Sequence, residues 1–457
     1  MLRKTAEGSE ANHAPSGLHR REILQIGYSG LIGMSLSTLV NARAATALAR
    51  STRIPRAKSV LLIFLTGGPC QLDTFDPKPD SPAEVRGPFE SIETKLAGIR
   101  FTEVLPEMAA RADRFAVIRS MAYPELPNAS HELATPLILS GTDLLPPGTS
   151  DSDARGVWPC YSGALEYLRP QRDGFPSGMV IPRPIPNLGS DAGLLGPRYD
   201  PWQIDCDPTD AAFGPEKVGL SVGASGSRLR GRRTLLERFD DWRRVGGDEL
   251  TARRFDAQRS QAYQILDSGR LANAFDMRRE DPKLRDRYGR HIFGQTLLLA
   301  RRLVQAGIPL IQANMGIRAQ WDFHTNNEAR ARKLTVPFDR ALSTLLDDLG
   351  ATGLLDNVLV VAVGEFGRTP QINNDAGRDH WTKAFCAVIA GAGVRGGQVI
   401  GQTDRFAASC VTRVYRPSDI GATIYSALGI EPASEIRDMQ NRPLQLNRGE
   451  VIAPLFS

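Results

Sequence analysis

Histidine is scarce in this chain, and the histidines it has stand near carboxylates. Six histidines occur among 457 residues. Asp322 and His324 are two residues apart, so an extended backbone points both side chains to one side, where they can share a cation. Asp379 and His380 are adjacent in a Gly- and Asn-rich loop, which can turn both onto one ion. Imidazole and carboxylate groups are common zinc ligands, and a hydrogen bond that merely holds the loop is the alternative for each pair.

Charged residues also follow the hydrophobic run Asn357–Val363. Glu365 lies directly beyond the predicted strand tip and is expected to bind a metal ion. Arg368 has the planar fork that suits phosphate or sulfate oxygens, and Arg378 is a second candidate for stabilising transition-state charge. A structural ion pair between Glu365 and Arg368 is the alternative.

His131 lies at a predicted helix start, where free backbone N–H groups would face an anion. We expect it to act as a nucleophile, a proton donor or a further metal ligand. Ser130 and Thr135 are alternative nucleophiles. His291 also lies at a probable helix start and is interpreted as a cap or packing residue.

Strands and helices alternate along the chain. Continuous apolar runs predict strands buried on both faces: Ser59–Leu65, Phe115–Ser120, Pro309–Asn314, Asn357–Val363 and Phe385–Ala390. Helical patterns cover Val104–Asp113, Gly163–Leu168, Gly294–Ala306, Ala329–Leu349 and Ser418–Leu428. This order predicts a doubly wound, mostly parallel α/β sheet between helices, with its site beyond the strand C-terminal ends.

The first 49 residues are interpreted as an export signal and linker. Arg20 and Arg21 precede an apolar run that is too weak and short for a stable membrane span. Paired arginines before such a run are typical of twin-arginine signals, which predicts a periplasmic or cell-envelope protein. A basic amphipathic helix that stays attached is the alternative. Residues 50–457 are expected to form one α/β domain with insertions at about 141–215 and 228–290.

Composition excludes several classes of protein. A hydrophobic content of 41% and a charged content of 23% are typical of soluble proteins, so disorder and multiple membrane spans are excluded. The Arg-rich stretch within 228–290 is interleaved with acids and predicts an amphipathic helix rather than a nucleic-acid site. No GxGxxG or P-loop motif follows the first strand, which argues against a nucleotide-binding enzyme.

Several motifs together resemble one known family. The motifs LTGGPCQLDTFDPKP, SHELATPLILSG, WDFHTNN, GEFGRTPQINNDAGRDHW and GGQVIGQTD resemble the family called domain of unknown function 1501, from Arg20 to about Leu444. The resemblance implies an alkaline-phosphatase-like fold, shared with sulfatases and phosphodiesterases.

Position by position, the resemblance implies which residues match the metal-binding and nucleophile positions of the superfamily. Asp73 is the carboxylate nearest to the superfamily's first metal-binding position, and His131 falls at the nucleophile position. Asp322 with His324, Glu365, and His380 beside Asp379 match further metal positions. Phe366 replaces a ligand in this pattern. Because a histidine cannot become formylglycine, the usual sulfatase route is not expected.

The sequence therefore predicts an exported, metal-dependent hydrolase of phosphate or sulfate esters, acting on a small molecule or a polysaccharide. One or two divalent cations are expected, zinc or manganese before calcium or magnesium. The predicted ligands are Asp73, Asp322, His324, Glu365, Asp379 and His380, and the predicted catalytic residues are His131, Arg368 and Arg378. The alternative is a non-catalytic module that binds anionic polysaccharide or a cell-envelope partner.

Overall fold

The structure, a computed structural model, describes residues 57–126, 130–143, 156–171, 175–185, 188–218 and 269–457. These residues belong to one compact unit, Pro55–Ser457. The predicted export signal (1–49) and most of the Arg-rich insertion with its predicted helix (219–268) lie outside the described residues.

An eight-stranded sheet forms the centre of the unit, in the order β12-β4-β11-β8-β1-β7-β5-β6. Its strands are β1 (Ser59–Phe64), β4 (Ala116–Met121), β5 (Gly178–Ile181), β6 (Trp202–Gln203), β7 (Leu310–Asn314), β8 (Val358–Val363), β11 (Phe385–Ala390) and β12 (Gln398–Ile400). Three two-stranded ribbons lie outside it: β2 (Ser91–Glu93) with β3 (Arg100–Thr102), β9 (Gly367–Arg368) with β10 (His380–Trp381), and β13 (Glu435–Arg437) with β14 (Pro443–Gln445).

The strands of the sheet are mostly parallel. β1 pairs in parallel with β7 and β8, and β5 pairs in parallel with β6 and β7. Only β11 is antiparallel to its neighbours β4 and β8. The ends of β1, β4, β7 and β8 and the beginning of β11 therefore lie at the same edge of the sheet, which is where open α/β sheets bind ligands. The doubly wound α/β sheet predicted from the sequence is confirmed.

Side chains on both faces of the sheet are buried, which explains the unbroken apolar strand sequences. In β1, Leu61 and Ile63 belong to one hydrophobic cluster, whereas Val60, Leu62 and Phe64 belong to the other. The first cluster packs against the helices α7 (Ile292–Gln305) and α8 (Asn327–Ala351). The second packs against α3 (His131–Ser140), α4 (Tyr161–Leu168) and α9 (Pro417–Ala427).

Four shorter α-helices and several 3-10 turns are also present in the described residues; the helices are α1 (Ala83–Arg86), α2 (Pro106–Ala109), α5 (Gly269–Phe275) and α6 (Pro282–Tyr288). His291 is the N-cap of α7, with its Nδ1 3.2 Å from the Gly294 amide, as the sequence indicated. Among the residues that the structure describes, no helix combines the length and the apolar character needed to span a membrane.

One part of the sequence interpretation needs correction. The Gly- and Pro-rich segment 141–215 was expected to hold loops and one helix, yet it contributes β5 and β6 to the central sheet. β5 spans only four residues, GMVI, so its apolar run is too short to stand out between Pro- and Gly-rich neighbours. The segment is therefore part of the sheet rather than an insertion upon it.

Candidate metal centre

The turn after β1 binds the carboxylate of Glu365. The Gly67 amide donates to Glu365 Oε1 at 2.8 Å, and the Gly68 amide donates to Oε2 at 3.1 Å. Both glycines have positive φ, 111° and 69°, which aims two successive N–H groups at one anion. Glu365 is only 1% exposed, so these bonds fix a buried negative charge. The paired glycines after the first strand are thus a carboxylate-binding turn, a role that the sequence analysis missed.

Glu365 in turn orients His131. His131 is the first residue of α3, after an N-cap serine whose hydroxyl accepts from the Leu133 amide. Its Nδ1 lies 2.7 Å from Glu365 Oε1, and this partner places the ring proton on Nδ1. Its Nε2 lies 3.3 Å from Asp322 Oδ2 but is a buried atom without a hydrogen bond. The Nε2 atom therefore points at the carboxylate of Asp322 without a well-formed hydrogen bond.

His324 repeats this arrangement on the other side of Asp322. Its Nδ1 lies 2.7 Å from Asp379 Oδ1, and its Nε2 lies 3.0 Å from Asp322 Oδ1. The bond with His324 is the main reason that the pKa of Asp379 is lowered. Asn373, a residue that the sequence analysis missed, donates to Asp379 at 3.2 Å and to the His324 carbonyl at 3.0 Å.

His380 completes the cluster. Its Nε2 lies 3.3 Å from Asp322 Oδ1 and 3.1 Å from His324 Nε2. The rings of His131 and His380 lie edge to face with centroids 4.6 Å apart. Three imidazoles from different parts of the chain thus converge on a single carboxylate.

Asp322 is held as an anion at the centre of this cluster. Burial raises the pKa of its carboxyl, but the neighbouring His131 and His380 side chains and the charge of Arg368 outweigh burial and hold the pKa well below its usual range. Arg368 Nη1 lies 2.5 Å from Asp322 Oδ1. Burial lowers the pKa of His131, but Asp322 and Glu365 outweigh it and raise the value to about 9.

These residues fit a divalent cation. Ligand atoms of His131, Asp322 and His380 all lie within 4.8 Å of one another. Carboxylates bonded to the far nitrogen of a metal-binding histidine are the usual outer support of zinc sites, and His131 and His324 both have one. The Nε2 atom of His131, which is buried without a hydrogen bond, would gain a partner in a cation bound there.

Glu365 and Asp379 therefore take a different place from the one predicted. Both were expected to be ligands, but Glu365 is bonded by two amides and by His131, and Asp379 is bonded to the outer nitrogen of His324. Of the predicted ligands, the structure brings Asp322, His324 and His380 together at the cluster. His131, predicted as catalytic residue or further ligand, joins them.

Asp73 and Arg378 lie elsewhere, paired with each other. Arg378 is fully buried and donates to both oxygens of Asp73 at 3.2 Å. Its remaining donors bond to the backbone carbonyls of Thr369, Pro370 and Val85. Burying one charge requires the opposite charge beside it, which explains this pairing. The structure thus pairs Asp73, predicted as a metal ligand, with Arg378, predicted to stabilise the transition state, and does not bring either of them to the cluster.

Arg368 also has a structural position. It is 2% exposed, and Nε donates to the Gly68 carbonyl at 2.8 Å. Nη1 donates to the Arg378 carbonyl at 3.1 Å as well as meeting Asp322, and Nη2 donates to the Gly67 carbonyl. Because the residue is 2% exposed and each nitrogen of its guanidinium bonds within the protein, Arg368 holds Asp322 and the β1 turn in place rather than reaching a substrate.

Phe366 closes the inner wall of the site. Its ring lies 5.0 Å from the His131 ring and 4.6 Å from the His380 ring, centroid to centroid, and the residue is fully buried. A Cβ atom on Gly68 would lie 2.7 Å from the Phe366 ring, so glycine is required there. The aromatic ring thus occupies space where the resemblance implies a ligand.

Comparisons with solved structures give relatives of low similarity. The crystal structure of Ps i-CgsB has a TM-score of 0.38 at 10% identity, with 87% of this chain and 75% of that chain covered. The alkaline phosphatase from the Antarctic bacterium TAB5 has a TM-score of 0.37 at 13% identity, with 82% and 99% covered. The PsFucS1 sulfatase from Pseudoalteromonas sp. has a TM-score of 0.36 at 14% identity, with 86% and 71% covered. At these scores the likeness carries no inference about activity.

Sequence comparison gives a clearer result. No curated protein matches this chain. The model of one family, described as a protein of unknown function (DUF1501), matches residues 57–456. This range contains the whole described sheet and every residue of the cluster, and the chain belongs to the DUF1501 family.

Proposed function

We propose that this chain is a metal-dependent hydrolase of phosphate or sulfate esters, exported through a twin-arginine-type signal in residues 1–49. The observation that carries the proposal is the convergence of His131, Asp322 and His380, whose ligand atoms lie within 4.8 Å of one another. His324 stands beside them, with its Nε2 3.1 Å from that of His380.

The donor set supports zinc first and manganese second. Three imidazole nitrogens and one carboxylate form a mixed N/O set, whereas calcium and magnesium take oxygen ligands. Because Glu365 and Asp73 are bonded within the protein, the residues present support one cation rather than two. When bound, such a cation polarises an ester oxygen and lowers the pKa of a neighbouring water.

The start of α3 supports an anionic substrate. A helix N-terminus leaves its first N–H groups without intrahelical acceptors and carries a partial positive charge. Because α3 begins at His131, this charge lies at the cluster. A phosphate or sulfate ester, drawn to both the cation and the helix start, suits this position better than a neutral ester does.

Within the part of the chain that the structure describes, the two hydroxyl side chains weighed as alternative nucleophiles beside His131 are both engaged or buried. The Ser130 hydroxyl accepts from the Leu133 amide, and Thr135 is 2% exposed within α3. His131 itself uses Nδ1 for Glu365 and directs Nε2 into the cluster. These engagements favour direct hydrolysis by water over a covalent enzyme intermediate.

A non-catalytic, anion-binding module is the alternative, and two observations favour it. Phe366 fills a ligand position, and Asp73 is used in an ion pair with Arg378. Such a module would bind an anionic polysaccharide or a cell-envelope partner without turnover.

Elemental analysis of the purified full-length protein tests the metal site first. We expect about one equivalent of zinc or manganese in the wild type, and at least tenfold less in Asp322→Asn and in His380→Ala. Asp375→Asn is the control, since Asp375 is exposed and lies in the same loop as Asp379. Less than a tenth of an equivalent in the wild type, even after dialysis against zinc, would overturn the metal site.

Turnover is tested next on the metal-loaded protein. A panel of phosphate monoesters, phosphate diesters and sulfate esters should reveal hydrolysis that His131→Ala and Asp322→Asn abolish and Asp375→Asn keeps. Stoichiometric metal without hydrolysis of any ester in the panel would favour the non-catalytic module.

A further inference from the structure

Arg368 and Arg378, which the sequence predicted to contact the substrate, bond to the protein itself instead. Neither is more than 2% exposed, and their donors bond to carbonyls and carboxylates of the protein. An anionic substrate needs cationic groups that are free to meet it. Exposed arginines at the same edge of the sheet are the candidates for this role.

The loop between β7 and Asp322 carries one. This segment, Met315–Gln320, is called the Arg318 loop, and it leads directly into the ligand Asp322. Trp321 closes its base, because the indole Nε1 donates to the Met315 carbonyl at 2.7 Å. The Trp321 amide also donates to the Thr66 carbonyl at 2.8 Å, which attaches the loop to the β1 turn.

The tip of the Arg318 loop is ordered and exposed. The Ile317 amide donates to Gln320 Oε1 at 3.0 Å, and the Asp322 amide donates to the Ala319 carbonyl at 3.1 Å. Arg318 has a φ of 50°, in the left-handed region that favours glycine. Ile317 is 58% exposed beside it.

The side chain of Arg318 has no partner within the described part of the chain. It is exposed and takes part in neither an ion pair nor a hydrogen bond there. A non-glycine residue in the left-handed region costs conformational energy, and such residues are common at binding sites. Arg318 lies four residues before the candidate ligand Asp322, so it is placed to bind part of a substrate held there.

A second exposed arginine lies at the end of the neighbouring strand. Arg183 follows β5, and its carbonyl accepts from Asn314 Nδ2, at the end of β7, at 2.7 Å. β5 and β7 are parallel, with Ile181 beside Ala313, so Arg183 and the Arg318 loop leave the same edge of the sheet. Two exposed arginines therefore lie on this side of the site.

We propose that Arg318 determines specificity by binding a second anionic group of the substrate. The preferred esters then carry a negative charge on the part of the molecule away from the scissile group, as bisphosphates and multiply sulfated sugars do. Arg suits such groups because its planar fork bonds two phosphate or sulfate oxygens at once. The proposal rests on the proposed ester hydrolysis for its kinetic test only.

Matched substrates test it with the metal-loaded, full-length protein. The phosphate pair is glucose 6-phosphate and glucose 1,6-bisphosphate, and the sulfate pair is glucosamine 6-sulfate and N-sulfoglucosamine 6-sulfate. The variant is Arg318→Gln. The control is Arg395→Gln, whose exposed guanidinium bonds to the Ser457 carbonyl. Arg395 follows β11, whose last residue pairs with Val360 of β8, so it lies at the opposite edge of the sheet.

We expect the wild type to have a lower KM for the bis-anionic member of the active pair. Arg318→Gln should reduce this preference about tenfold, which is the loss of one charge-assisted interaction, with kcat for that substrate little changed. Arg395→Gln should keep the wild-type preference. An equal change in KM for both members, or no change for either, would overturn the role of Arg318.

Calorimetric binding separates this proposal from the proposed function. If no ester is hydrolysed, ester hydrolysis fails, and the dissociation constants of the same four compounds decide the role of Arg318 alone. Tighter binding of the bis-anionic compounds that is lost in Arg318→Gln supports it. Equal binding of both members by the wild type refutes it.

Discussion

Replacing Glu365 with glutamine is the sharpest test of how the site is built. The change keeps the shape of the side chain and removes its charge. Glu365 now accepts from Gly67, Gly68 and His131, at 2.8, 3.1 and 2.7 Å. An amide accepts through one oxygen only, so its NH2 group must face one of these donors. Leaving a buried donor unsatisfied costs about 1–3 kcal/mol.

A second effect, of similar size, is expected on metal affinity. Glu365 fixes the ring of His131 and raises the basicity of its Nε2, and loss of such an outer carboxylate weakens metal binding roughly 10- to 100-fold. That factor corresponds to about 1.4–2.7 kcal/mol of binding free energy. Glu365→Gln is therefore expected to change two quantities, the free energy of unfolding and the affinity for the metal ion.

Calorimetric titration of metal-stripped protein with zinc measures the second effect. Glu328→Gln is the control, because Glu328 lies at the start of α8 with a side chain that is 58% exposed. Thermal unfolding of the same samples shows that Glu365→Gln is folded. If the folded Glu365→Gln variant bound zinc within twofold of the wild type, the inference that Glu365 positions a ligand would be wrong.

Three further predictions follow from the surroundings of the cluster. Gly68→Ala should lower the free energy of unfolding, measured by chemical denaturation, by about 1–3 kcal/mol more than Gly98→Ala does. Both glycines have positive φ, but a Cβ on Gly98 meets no atom within 4 Å. Equal losses would contradict the expected contact between a Cβ on residue 68 and the Phe366 ring. Asp73→Asn should lower the free energy of unfolding by about 3–5 kcal/mol, because it leaves Arg378 buried and unpaired. The zinc content per folded molecule should stay unchanged, and a lower zinc content would indicate that Asp73 belongs to the metal site. Asp339 is 2% exposed and accepts from the Glu107 and Met108 amides, and burial raises its pKa to about 7 despite these bonds. Because this folded-state pKa exceeds the unfolded value, the contribution of Asp339 to stability is complete below about pH 4 and is lost as pH rises through 7, by up to about 4 kcal/mol. Urea unfolding between pH 4 and 8 should show this fall in the free energy of unfolding. Asp339→Asn should make the fall smaller.

Much of the sheet and three residues of the candidate metal centre follow from local sequence. The runs that form β1, β7 and β8 are long and apolar, and parallel strands place the residues after them at one edge. Asp322, His324 and His380 were predictable because each follows or precedes such a run with a carboxylate nearby. The short strands β5 and β12 carry no comparable signal.

The division between ligands and supporting residues was not predictable. Asp73 and Arg378 are 305 residues apart in sequence, so nothing local indicates that each satisfies the charge of the other. Glu365 orients His131 instead of lying among the candidate ligand atoms, because two amides of the β1 turn hold its carboxylate. Arg368 is likewise engaged by carbonyls of that turn, and only the folded backbone shows them.

The long sequence separation within the cluster has a thermodynamic consequence. His131 and Glu365 are 234 residues apart, so the site exists only when both halves of the chain have folded together. A cation bound there acts as a reversible cross-link, and at a concentration 1,000 times its Kd it adds about 4.1 kcal/mol to the free energy of unfolding. Chelation should therefore lower the melting temperature as well as empty the site. Melting curves with and without zinc would then report on the integrity of the whole sheet, even before a substrate is known.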